Sequence, residues 1–219
     1  MMKILWIVFV LAFCAPNLFA QAMDLARQEF ERVLENGNDL KNAVSHIETR
    51  TLEYFEDRDK QGQVLEQDVR EVMISGQWRT VEVRNDGDTS VRSERLWDGK
   101  ALYVRNGDGP WTKLSGWGSG SGELESGRFD FKYCYLGKVN VDGRAAELYE
   151  VRRDRIAKKV SATKTTEYHY VRITKYWFLA DGRLLKMLRE ETVEGSRALS
   201  RETTEVDYNT KGLKIEAPI

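Results

Sequence analysis

FDFKYCYLGKVNV (Phe129–Val141), DG (Asp142-Gly143) and RAAELYEVRR (Arg144–Arg153) follow one another in the chain, and how they are read decides the fold. Phe129, Phe131, Tyr133 and Tyr135 recur at period two, with Asp130, Lys132 and Cys134 between them. Successive strand side chains point to opposite faces, so this is a strand with one bulky aromatic face. Asp-Gly suits a type I′ hairpin turn, which needs φ > 0 at both central residues; Asp tolerates that and Gly adopts it without steric cost. Strand, tight turn and strand together make an antiparallel hairpin.

The same punctuation recurs at Asp86-Gly87, Asp98-Gly99, Asp108-Gly109 and Asp181-Gly182. Alternating runs between these turns predict strands over 48–57, 64–75, 78–84, 89–97, 102–105, 129–141, 145–153, 166–179, 183–193 and 199–207. So many strands approach the size at which a twisted open sheet must curl. Ahead of them, Asp24 suits an N-cap, and Ala26, Phe30, Val33 and Leu34 share one helical face. Asn36-Gly37 reads as the stop, and residues 38–47 as a short second helix with Leu40, Val44 and Ile47 on one side. The expected fold class is mainly β (α+β): a curved antiparallel sheet covering one or two N-terminal helices.

Between residues 106 and 127 the alternation breaks. Seven glycines, Pro110, four serines and two tryptophans, Trp111 and Trp117, stand there. This composition does not hold a regular strand, and long loops are often functional. One reading is a flap that closes over an apolar cavity through Trp111 and Trp117; the other is a connector whose tryptophans enter the core. Its glycines lack the Lys-Ser/Thr and the strand-to-helix setting of a phosphate-binding loop.

Residues 1–22 read as a cleaved export signal. Lys3 gives a positive start, Ile4–Phe13 an apolar run, and Ala20-Gln21-Ala22 the small residues a signal peptidase reads. The run is too short to span a bilayer, and Pro16 interrupts it. Lipidation at Cys14 is the rival reading, although Phe13 stands where that processing wants a small residue. Residues 23–219 are then expected to form one domain in the periplasm or cell envelope, or secreted. Within them only Cys134 is a cysteine, so no internal disulfide can form, and beside Tyr133 and Tyr135 it reads as a small buried or half-buried hydrophobe rather than a nucleophile. A formal net charge of −1 argues against binding nucleic acid by phosphate neutralisation.

Nothing in the chain has the spacing of a catalytic or metal site. His46 and His169 stand far apart, each read as a surface or satisfied histidine. Asp57, Asp59 and Asp68 match part of a calcium loop, but Arg58 and Lys60 oppose it and the segment reads as a turn. Glu190 and Glu191 fall on opposite strand faces and cannot converge. No catalysis, metal or cofactor is expected. Arg152, Arg153, Arg155, Lys158, Lys159 and Lys164 could favour an anionic membrane or an acidic partner; the plainer reading is a solvated linker.

YLGKVNVDGRAA (Tyr135–Ala146) with Leu148–Val151 resembles the G-x-x-x-V-x-G-R-x-A hairpin of the outer-membrane lipoprotein-sorting superfamily, which includes the periplasmic lipoprotein carrier. KYWFLADGRLLK (Lys175–Lys186), EVDYN (Glu205–Asn209) and LKIEAP (Leu213–Pro218) resemble three later pieces of that pattern, in order. The resemblance implies an incomplete barrel wrapped over its helices, with an apolar cavity for an acyl chain or lipid. The expected function is to hold a lipid, acyl chain or lipoprotein lipid moiety and carry it across the envelope. The alternative is a regulatory or sensor module that binds another envelope protein. Phe129, Phe131, Tyr133 and Tyr135, with Trp111 and Trp117, are the candidate ligand-binding residues.

Overall fold

A computed structural model describes residues 27–37, 39, 41, 44–56, 63–86, 88–114, 128–160 and 165–218. Residues 27–37 form helix α1. Eleven strands follow: β1 (His46–Phe55), β2 (Gln63–Ile74), β3 (Gln77–Asp86), β4 (Thr89–Trp97), β5 (Leu102–Asn106), β6 (Thr112–Leu114), β7 (Arg128–Val141), β8 (Arg144–Val160), β9 (Thr165–Leu179), β10 (Leu184–Val193) and β11 (Leu199–Asp207). They make one antiparallel sheet in the order β6-β5-β4-β3-β2-β1-β11-β10-β9-β8-β7. Each half is a meander of successive hairpins. The halves meet where β1 pairs with β11, Ile47 opposite Asp207 and Phe55 opposite Leu199.

The opening hairpin has the expected geometry. Asp142 and Gly143 both have positive φ, 51° and 79°, as a type I′ turn requires. Asp98-Gly99 and Asp181-Gly182 correct that expectation, while Gly87 lies outside the described residues. Gly99 and Gly182 have positive φ but Asp98 and Asp181 do not, because each sits in a longer loop. In the β9–β10 connection the Leu179 N–H donates to the Arg183 carbonyl at 2.8 Å, leaving Ala180 to Gly182 in the loop. In the β4–β5 connection the Asp98 carboxylate accepts from the Lys100 and Ala101 N–H groups, each at 2.8 Å. Among the described residues, Ser75-Gly76 is another two-residue turn of the left-handed type, with φ of 50° and 80°.

Three further expectations are corrected. Gly37 is not a stop signal: it is itself helical, and so are residues 39 and 41 beyond it. A Cβ on Gly37 would lie 2.9 Å from the Gly182 carbonyl oxygen and 3.1 Å from the Phe178 ring, so glycine serves close helix–sheet approach there. Ile47 lies in β1, not in a second helix. Strand β8 continues to Val160, and the basic stretch read as a linker is laddered against β9 as far as Val160 opposite Thr165.

Burial is uneven across the sheet. Phe30 of α1 is 5% exposed and forms one core cluster with Tyr149 and Val151 of β8 and Phe178 of β9; Val33, Leu34, Tyr133, Tyr176 and Leu184 pack around it. This agrees with the helical stripe read from Phe30, Val33 and Leu34. No described side chain of β2 or β3 is buried. There the ladder carries cross-strand polar pairs: Thr51 with Asp68 at 2.7 Å, Gln67 with Glu82 at 3.0 Å and Thr80 with Glu71 at 3.2 Å.

Candidate functional site

The aromatic row of β7 continues the core cluster outward to the surface. The Phe30 ring lies 5.4 Å from Tyr133, 6.1 Å from Tyr149 and 5.3 Å from Tyr176, so one helical side chain contacts three adjacent strands. Phe131 stacks on Tyr133 at 6.1 Å, and Tyr135 meets Tyr149 at 5.0 Å. Away from the helix the cover ends: Phe131 is 43% and Tyr135 47% exposed. Burial pushes the Tyr149 hydroxyl up to about 12, helped by the Glu147 carboxylate, and burial also raises those of Tyr133 and Tyr176. These phenols stay neutral at physiological pH and offer apolar rings with O–H tips.

Cations border this surface. Arg153 lies opposite Phe131 in the ladder, its guanidinium 5.9 Å from the ring centre, and Arg155 lies 5.4 Å from the Tyr170 ring. The β8 cations are thus partly seated on rings rather than solvated in a connector.

The expected site residues separate into two places. Phe131, Tyr133 and Tyr135 stay together on β7, and Phe129 shares that strand, with its side chain outside the described residues. Trp111 stands just before β6, at the other end of the strand order, half-buried under the Arg105 guanidinium at 4.8 Å. Part of the stretch expected to be irregular is strand β6, where Leu102, Tyr103 and Val104 of β5 take partners. Trp117 and the Asp57–Gly62 segment lie outside the described residues. Cys134 corrects its expectation: it is exposed, on the face opposite the aromatic row, where nothing among the described residues buries it.

Two large clefts are lined by other residues. One of about 560 Å³ gathers Thr49, Arg70, Lys186 and Glu205 with Val141, Asp142 and Arg144 of the β7–β8 hairpin. The other, about 610 Å³, lies between α1 and the β9–β10 turn, among Val33, Asn36, Phe178 and Gly182.

The main charged constellation escaped sequence reading. Glu94 of β4 is 1% exposed. Its Oε2 accepts from Arg79 Nη2 at 2.6 Å and Nε at 3.2 Å, and its Oε1 from Arg92 Nη2 at 2.8 Å and Arg105 Nη2 at 2.6 Å. Burial alone would raise its pKa, but the guanidinium hydrogen bonds outweigh this and hold it at about 2. The four residues come from three strands, and only the register brings them together: Glu94 sits opposite Arg105 on one side and Val81 on the other. The signal available in sequence was Arg92 and Glu94 two residues apart on one strand face.

The histidines differ from each other. His46 is fully buried, which corrects its reading as a surface or satisfied residue: Nδ1 lies 2.9 Å from the Val44 carbonyl, while Nε2 has no partner among the described residues. His169 lies at the surface, Nδ1 2.7 Å from Glu194 and Nε2 3.7 Å from Asp154.

Among the described residues, fold and site together make an open antiparallel β-sheet with helix α1 packed on part of a face. No described helix is long and apolar enough to cross a membrane. No protein-family model matches the chain, and no curated protein matches it. Among solved structures, the chain is similar to the crystal structure of the Mycobacterium tuberculosis lipoprotein LppX, at 13% identity and a TM-score of 0.44, over 84% of this chain and 97% of that one.

Proposed function

We propose that this chain is an exported, non-catalytic binding protein that holds a lipid or acyl chain against the aromatic surface of β7–β9 and carries it within the cell envelope. The observation that carries this reading is the unbroken run of rings from buried Phe30 through Tyr133 to Phe131, 43% exposed, bordered by Arg153. A sheet face sealed for stability alone would end in polar residues; this one ends in aromatic rings beside a cation, which suits an acyl chain with an acidic head. The leader-like residues 1–22 and the four ordered motif pieces support export and a carrier-like fold.

One observation supports a bent, incomplete barrel. The cleft of about 560 Å³ unites the β7–β8 turn with Arg70 of β2, although β8 and β2 are five positions apart in the strand order. A flat sheet would hold them about 24 Å apart.

The test is an environment-sensitive apolar dye together with native mass spectrometry of the purified protein after organic extraction. Wild type is expected to bind the dye and release a co-purified lipid, and Phe131→Asp to lose at least tenfold in dye affinity while staying folded. Equal binding by both would overturn the reading. The exposure of Tyr135, 47%, and of Leu136, 46%, favours one other reading, a docking surface for an envelope protein. A folded wild type that binds no dye and carries no lipid would favour it.

A further inference from the structure

We propose that the Glu94-centred cluster of Arg79, Arg92 and Arg105 on β3–β5 is a binding site for a phosphate-type oxyanion. It is independent of the aromatic surface, standing in the other half of the sheet. One guanidinium neutralises a buried carboxylate, and a bidentate fork satisfies both of its oxygens. Here three guanidinium groups converge on one carboxylate, leaving two positive charges in excess. Neighbours on the same face do not remove that excess. Arg70 and Lys113 add to it, while Glu66 and Asp68 are the other acids on that face from β2 to β6, and Asp68 already accepts from Thr51 at 2.7 Å.

Donor counting leads to the same conclusion. Each guanidinium carries five N–H donors. Arg105 spends one on Glu94, at 2.6 Å, and its buried Nε has no partner among the described residues. Arg79 and Arg92 each use Nε and Nη2, leaving Nη1 free of Glu94. Glu94 is sealed below, whereas the side chains of Arg79, Arg92 and Arg105 are 42%, 49% and 26% exposed. The carboxylate therefore anchors a layer of guanidinium groups whose outer donors face solvent, and Trp111 fixes the orientation of Arg105 from the side. Planar forks with uncommitted donors match the tetrahedral oxygens of a phosphate group.

The phosphate can belong to a dissolved phosphomonoester or to the headgroup of an anionic lipid. The test uses the full chain, titrated with inorganic phosphate against chloride at matched ionic strength and followed by calorimetry. A parallel arm measures sedimentation with phosphatidylglycerol or phosphatidylcholine vesicles. Phosphate is expected to bind and chloride not, and Arg92→Gln to weaken phosphate at least fivefold, since Arg79 and Arg105 still hold Glu94. Phosphatidylglycerol-dependent sedimentation that phosphate competes away assigns the headgroup; phosphate binding with no vesicle binding assigns the dissolved ligand. If Arg92→Gln does not fold, Arg92→Lys keeps the charge without the fork and is expected to weaken phosphate about threefold. Phosphate binding equal to chloride, or unchanged in a folded Arg92 variant, would overturn the site. Phe131→Asp should leave phosphate binding unchanged, which separates failure here from failure of the aromatic reading.

Discussion

The two halves of this sheet are held by different physics. Strands β7–β9 and α1 bury rings, and Phe178, 1% exposed, touches Tyr149 and Tyr176 at 6.0 Å each. Among the described residues, strands β2–β5 carry no such cluster, and their most buried side chain is the carboxylate of Glu94. The first half draws stability from apolar area removed from water, which is insensitive to pH. The second draws on charge-assisted hydrogen bonds, whose strength depends on protonation state.

The comparison breaks most sharply at its two centres. Phe178→Ala should cost about 3–5 kcal/mol, a large-to-small change in the best-packed site, read from urea unfolding. Its effect should be the same at pH 7 and pH 4, because no charge is involved. Glu94→Gln should cost about 2–3 kcal/mol at pH 7, somewhat below a fully buried pair because the arginines are partly solvated. Since the folded pKa of Glu94, about 2, lies below the ordinary 4.5, its contribution is present above about pH 4.5 and is lost as pH falls towards 2. Wild type should therefore weaken over that window more than Glu94→Gln, and parallel pH profiles would remove the proposed asymmetry.

Two smaller changes sharpen it. Gly37→Ala would raise stability by about 1 kcal/mol if helix propensity decided the outcome. The 2.9 Å approach to the Gly182 carbonyl, a backbone atom with little freedom to yield, argues for a net loss of about 1–2 kcal/mol, visible as a lower Tm. Asp142→Asn should stabilise by about 0.3 kcal/mol, because Asn accepts the left-handed φ of 51° slightly better; equilibrium unfolding of a well-behaved pair can resolve this.

What sequence reading recovered follows the same division. The strands at Thr89–Trp97 and Leu199–Asp207 were legible to the residue, since alternation and turn residues bound them on both sides. The α1 stripe was legible because Phe30 docks through side chains at helical spacing. The end of β8 was not, because RRDRIAKKV carries charge on both faces and only pairing with β9 and the rings of Phe131 and Tyr170 make it a strand. Gly37 read as a stop because glycine permits both chain reversal and close contact, and only the position of Gly182 decides between them. The aromatic row was visible as a pattern, but its separation from Trp111 was not. The arginine cluster depends on a register between β3, β4 and β5 that one strand at a time does not reveal.

The pairing of β1 with β11 has a kinetic consequence. Each half is built from hairpins between neighbours in sequence, and such ladders close quickly, in microseconds for an isolated hairpin. The seam from Ile47–Asp207 to Phe55–Leu199 joins the beginning of the sheet to its end, and the loop it closes contains all nine other strands. Contacts this distant along the chain raise contact order and slow folding. During synthesis β1 must wait, with one edge unpaired, until β11 has emerged, so the central ladder of the finished sheet is the last to form and the interval before it is when association with other chains is most favoured.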